Sequence, residues 1–415
     1  MTVLGRERLV LAAGFADLLV GIAAWYIFLG LLSTVYSETE SVATVSLLLG
    51  LRLLVSAGLS LPLSVAADRR GAASTAAATV AAYPPLTLLL YIVSTGSSGV
   101  YTLFVLAMIA EAVNTAYNTV KYALPPRLAS AGLEKANAVF EAAYSLLMAV
   151  GPLAAAALLG LGAAGLVVVL VLEASAAIVL YSIAARTPLA TGGPEGSGGS
   201  LAAELAEAAR RVIHSKELRT VFAVLLAATA AGAVVNLAQV PAAASLGAIG
   251  FTAGYSMLTA STGLGSLVAS IAVIRGVLRA VGPMGMIRLG SLAMAFYPAA
   301  LAAALLCDAH TWTVAVLLAA SLVNGLGNSL LFIALTTLLQ RLSGNATARI
   351  IALATVSWTI LAAAVTIAAG VLSSYLPAVL LASVATLAAI VPSMAGKLGH
   401  AEGSQGASSG LLGAS

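Results

Sequence analysis

Long apolar runs recur along the whole chain, separated by short polar breaks. A helix needs about 20 mostly apolar residues to cross a bilayer. Twelve runs meet that length: 9–32, 42–66, 72–95, 100–123, 137–160, 163–185, 219–243, 253–275, 284–306, 312–339, 349–372 and 376–395, numbered here spans 1 to 12. They are rich in Leu, Ala, Val and Gly and lack the two-residue alternation of barrel strands, so an all-α membrane bundle is expected. The first run is too long for a signal-peptide core and reads as a retained span. Composition agrees: 61% of the 415 residues are hydrophobic and 8% are charged, whereas soluble domains carry about 25% charged residues. A soluble enzyme, a nucleic-acid binder and a fibrous protein are excluded, because this much apolar surface has no polar skin to hide behind.

The nineteen basic residues set an orientation. With the N-terminus inside, eighteen fall in cytoplasmic segments, from Arg6 and Arg8 through Lys121 to Lys397, and the nineteenth, Arg52, lies inside span 2. The outer loops hold Glu38, Glu40 and Asp308 but no Lys or Arg. Basic loops stay cytoplasmic, so a multi-pass protein of the cell membrane with both termini inside is expected. The same bias accounts for the net charge of +4 without a nucleic-acid partner. One cysteine, Cys307, and three scattered histidines, His214, His310 and His400, predict neither a disulfide nor a metal site. The chain has no G-x-x-x-x-G-K-[ST] nucleotide loop, and no cofactor is expected.

Four segments follow from this pattern: an N-terminal six-helix bundle over 1–186, a cytoplasmic linker over 187–218, a C-terminal six-helix bundle over 219–397 and a disordered tail over 398–415. The linker is Gly-rich up to residue 200 and then amphipathic, with Leu201, Leu205, Val212 and Ile213 on one stripe. Such a helix lies on the cytoplasmic membrane surface or serves as a plain solvated connector. The halves resemble each other. AEAVNTAYN at 110–118 in span 4 reads like ASLVNGLGN at 320–328 in span 10. Parallel six-span repeats, related by a pseudo-two-fold axis along the membrane normal, put a substrate site between them at the midplane.

Charges inside spans cost several kcal/mol and ask for a reason. The first half has Asp17, Arg52, Glu111, Glu141 and Glu173; the second has none deep in a span. Counting about 1.5 Å per residue puts Asp17, Arg52 and Glu111 at similar depth. They are the candidates for proton coupling, with Arg52 as partner and Glu111, whose helix neighbours are neutral amides, as the proton carrier. Glu141 reads as the partner of a loop base, and Glu173 as isolated. Asn114 and Asn118 with Lys121 extend Glu111 into a polar stripe on span 4. Asn324 and Asn328 on span 10, and Asn236 and Gln239 on span 7, do the same. These amides, with Tyr255 and Trp358, are the candidate substrate contacts.

The loop between spans 2 and 3 reads SVAADRRGAA at 64–73. It resembles the G-x-x-x-D-R-x-G-R-R motif of the major facilitator superfamily, with Asp68, Arg69 and Gly71 in place and Ser64, Ala72 and Ala73 departing from it. KYALP at 121–125, ANA at 136–138 and Gly151-Pro152 are similar, in order and position, to the drug-efflux and secretion-effector branch. In span 5 only Gly151-Pro152 remains of the G-x-x-x-G-P-x-x-G-G antiporter signature. The resemblance implies a monomeric secondary transporter in the lipid bilayer, gated at Asp68, Arg69, Gly71, Gly151 and Pro152. It would work by alternating access, as proton-coupled efflux of a hydrophobic or amphipathic small molecule. An uptake symporter or facilitator of the same fold is the alternative. A membrane-embedded lipid-modifying enzyme is the other, and it lacks paired acids or an intramembrane histidine to work with.

Overall fold

A computed structural model describes residues 3–70, 72–96, 99–121, 124, 133–186, 201–246, 250–275, 281–306, 311–343 and 347–395. Among them every regular element is helical, and twelve helical segments are long and apolar enough to cross a membrane. Spans 1 to 6 are Val3–Thr39, Val42–Arg70, Ala72–Val80 with Tyr83–Thr95, Val100–Lys121, Leu133–Gly160 and Ala163–Arg186. Spans 7 to 12 are Lys216–Ser245, Phe251–Ile274, Gly282–Leu306, Thr311–Ser343, Thr347–Val371 and Leu376–Ala395. The fold is an all-α membrane bundle of two six-helix halves, as expected.

Span 3 is not the continuous helix that its apolar run predicts. After Val80 the chain turns at Ala81–Ala82, where the Ala82 N–H donates to Thr79 O at 3.0 Å, one residue tighter than a helical bond. Pro84 and Pro85 then open the next helix. Neither has an N–H to give the preceding turn, and both suit a first helical turn.

The halves meet along two seams, span 2 on span 11 and span 5 on span 8. Lipid supplies no hydrophobic drive for helix association, so close backbone approach and hydrogen bonds must do it. At Gly263 of span 8, an added Cβ would stand 2.3 Å from the Met148 carbonyl carbon and oxygen. That carbonyl lacks its usual helical donor, because residue 152 is a proline inside span 5. Between spans 8 and 10 hydroxyls bridge the helices: Thr262 with Ser321 at 2.7 Å, Ser261 to Leu318 O at 2.7 Å, and Ser270 with Ser329 at 3.1 Å.

Call the two ends of the bundle the linker end and the distal end. One apolar core joins both halves at the distal end, through Leu32, Val35, Leu48, Leu246, Leu258, Ala369 and Leu380. The second half has a separate core at the linker end, around Val221, Leu225, Leu335, Leu339 and Ile350. The linker helix, Leu201–His214, packs on spans 7 and 11 with Ala208 and Val212 buried. Of its expected apolar stripe, Val212 is thus held by the second half while Ile213 stays 60% exposed. The Leu201 and Leu205 side chains lie outside the described residues. Ser215 breaks this helix from span 7 and caps the latter, its Oγ accepting the Leu218 N–H at 3.2 Å.

Candidate functional site

Between the halves lies a cavity of about 740 Å³. It is covered at the distal end by aromatic side chains. Tyr36 of span 1 stacks on Phe251 of span 8, ring centroids 4.6 Å apart. Tyr255 continues the cover inward, with its ring 6.1 Å from Phe251 and 6.4 Å from Phe28.

The first-half wall carries the charges. Arg52 donates from Nε at 3.0 Å and from Nη2 at 2.5 Å to Glu111 Oε2. Its guanidinium lies 4.4 Å over the Phe28 ring centroid, a cation–π contact. Lys121 Nζ donates to both Asp17 oxygens, at 3.2 and 3.4 Å, and sits 5.5 Å over the Tyr144 ring. The sequence expectation offers Arg52 to both acids; the structure gives it to Glu111 alone. Lys121, counted with the loop bases, is instead buried in the bundle as the partner of Asp17. Glu111 is therefore held by a base and is not surrounded only by neutral amides. The two pairs sum to zero formal charge.

Amides extend this wall. Asn118 donates to Asn114 Oδ1 at 2.9 Å, and the Tyr83 hydroxyl reaches the same oxygen at 3.4 Å. Tyr83 stands directly after the break in span 3, which aims it at span 4. The second-half wall offers no charge among its described residues; Asn236, Gln239, Tyr255, Asn328, Phe332 and Trp358 line it together with threonines such as Thr259. Thr259 donates to Gln239 Oε1 at 3.3 Å, and the Phe332 and Trp358 rings meet edge to face at 6.1 Å.

Asp17, Arg52, Glu111, Asn114, Asn118, Asn236, Gln239, Tyr255, Asn328 and Trp358 thus share one cavity. Asn324 does not: it is 8% exposed and off the lining, one helical turn from Asn328 on the face of span 10 that packs inward. Gly151 faces span 1, where a Cβ would meet Trp25 Cδ1 at 2.6 Å, and Pro152 is buried beside it. Gly71 lies outside the described residues, as do the side chains of Asp68, Arg69 and Glu141. Sequence reasoning missed Tyr83, whose signal is the Pro84-Pro85 pair within an apolar run, and the pairing role of Lys121, whose signal is its place on the Glu111 stripe.

Several solved structures share this architecture. The nucleoside transporter NupG, in a mutant form, is 12% identical with a TM-score of 0.72, covering 93% of this chain and 98% of its own. A POT family transporter in complex with a thioalcohol-conjugated peptide is 11% identical at 0.69, covering 94% and 97%. A bacterial homologue of the iron transporter ferroportin, in an inward-facing state, is 16% identical at 0.66, covering 95% and 98%. No protein of curated function matches the chain in sequence. The sequence profile of the Major Facilitator Superfamily matches residues 15–367. The cavity between two six-helix halves is therefore that of a membrane transporter for small molecules, and the chain belongs to the Major Facilitator Superfamily.

Proposed function

We propose that this transporter is a proton-coupled exporter of hydrophobic or amphipathic small molecules, of the drug-efflux and secretion-effector kind. It resides in the cell membrane as a monomer, with both termini and the 187–218 linker in the cytoplasm. Residues 1–186 and 219–397 are the two bodies that rock about the cavity, and Asp68, Arg69 and Gly71 belong to the gate at the linker end. The observation that carries this reading is the division of labour across the cavity. Among the described residues its charges lie on one wall in self-neutralised pairs, and the polar groups of the other wall are amides, hydroxyls and aromatics. A substrate with strong fixed charge would want a counter-charge it does not find there, whereas an amphipathic one finds aromatic faces and hydrogen-bonding groups.

The ion pairs supply a coupling device. A proton taken by Glu111 releases Arg52 toward the cavity, and a proton taken by Asp17 releases Lys121. A substrate that donates hydrogen bonds to the same carboxylates favours their ionised form, so substrate and proton compete there, which is the reciprocity that exchange requires. On the proposed orientation this conformer is closed to the outside by the Tyr36–Phe251 stack.

The test is dye transport in proteoliposomes against pH, with a panel of fluorescent lipophilic cations and neutral amphiphiles, for the wild type, Asp17→Asn and Glu111→Gln. Glu111→Gln is expected to abolish uphill export while downhill exchange persists. Asp17→Asn is expected to reduce both, because it strands Lys121. Identical pH dependence in all three sinks proton antiport, and dye accumulation in the direction of proton entry assigns uptake symport instead. Orientation has its own check: a cysteine at Ser197 should resist impermeant maleimide in intact cells and one at Ser97 should react.

A further inference from the structure

Span 6 carries a carboxyl that the cavity does not use. Glu173 is 1% exposed, on the face of span 6 that meets the second piece of span 3. Its Oε1 accepts the Thr87 hydroxyl at 2.5 Å, and its Oε2 has no hydrogen-bond partner among the described residues. Spans 1, 3 and 5 pack against span 6. The titratable groups they bring within electrostatic reach are Tyr26 and Tyr83, with Tyr91 beside Tyr26, and no base forms an ion pair with Glu173 among the described residues. An ionised carboxylate left so would be prohibitively costly. A glutamine would accept the Thr87 bond equally well, so what an acid adds here is the ability to lose a proton.

The position also has a route to the cavity. Tyr83 and Thr87 are four residues apart and share a face of the broken span 3. Tyr83 bonds Asn114 on the cavity wall, and Asn114 Nδ2 lies 3.5 Å from Glu111 Oε1. This chain of side chains runs from Glu111 to Glu173 behind the wall, next to the turn at Ala81–Ala82.

We propose that Glu173 is a proton-holding site of the transport cycle: neutral in this distally closed state, and ionised in the opposite state when movement at the span 3 break lets water reach it past Tyr83 and Thr87. In that step the carboxyl O–H bond breaks, the proton passes to water and the carboxylate keeps the electron pair. It takes a proton back from the same side before the distal end recloses, so the site gates the cycle and carries no net proton against the inward one that drives export. The proposal rests on the alternating-access, proton-coupled reading above, and its test separates the two.

Isotope-edited infrared spectra of the purified protein in lipid nanodiscs should show a protonated glutamate band at neutral pH. The band should be present in Thr87→Val and absent in Glu173→Gln. Spin labels at Ser37→Cys and Ser245→Cys, in a Cys307→Ser background, report opening of the distal end. Raising pH should shift the open-to-closed ratio of the wild type on the order of tenfold, the effect of a one-unit difference in proton affinity between states. Glu173→Gln should stay closed. A band that survives Glu173→Gln, or an unchanged pH response in that variant, overturns the proposal. If band and pH response behave as stated while dye transport moves no protons, the site stands and the antiport reading falls.

Discussion

Asp17 and Lys121 bury their side chains to 2% and 5% exposure, while Glu111 and Arg52 keep 10% and 17% toward the cavity. Removing one partner of a buried pair leaves a bare charge and costs about 3–5 kcal/mol. Asp17→Asn should therefore lower the thermal stability of the purified protein clearly, and adding Lys121→Met should restore much of the loss. Glu111→Gln, beside a base that water can reach, should cost nearer the ~1.5–3 kcal/mol of one charged hydrogen bond. Equal losses in the two single variants would refute the ranking. The deep acids were legible because the cost of a buried charge marks them in any apolar run. Their pairing was not. Counting residues gives depth along a helix, but the partner depends on how neighbouring helices are rotated. Lys121, at the last turn of span 4, looks like a loop base until span 1 is set beside it.

At the scale of elements, the contact of span 5 with span 8 rests on an absence at each of two positions. Pro152 has no N–H for the Met148 carbonyl, and Gly263 has no side chain to keep span 8 off it. Gly263→Ala should force the helices apart, at about 1–3 kcal/mol for overpacking. Gly232, with nothing within 4 Å of an added Cβ, is the control. Gly232→Ala should be neutral or stabilise by up to about 1 kcal/mol from helix propensity. Denaturation midpoints of the two variants decide it. Span number and approximate limits were readable from apolar length alone. The break in span 3 was masked because its flanking residues are as apolar as a helix interior; only the paired prolines betray it. The linker helix shows a different limit. Its amphipathicity announces that one face is covered, but a membrane surface and a bundle end are both apolar covers.

For the whole molecule, the distal ends share one core and a stack of rings, so this conformer is sealed there by packing and carries no ion pair across the seal among the described residues. Phe251→Ala should weaken that seal. With Asn236→Cys as a reporter in a Cys307→Ser background, impermeant maleimide applied from the distal side should label the Phe251→Ala protein several-fold faster than its parent. Unchanged labelling would show that the rings are not the closure. The two-half architecture followed from twelve runs and a matched motif. The side on which this conformer is shut did not, since every state of such a carrier shares one sequence.

The balance of charge on the first-half wall has an electrical consequence. Moving one elementary charge through a membrane potential is worth about 2.3 kcal/mol per 100 mV. With Asp17 matched to Lys121, Glu111 to Arg52 and Glu173 neutral, the empty carrier reorients with no net charge on its cavity wall and feels almost no voltage. A single proton on either paired acid makes that wall cationic. Membrane potential then acts on the loaded form alone, so voltage drives the proton-bearing stroke and leaves the return stroke to thermal motion.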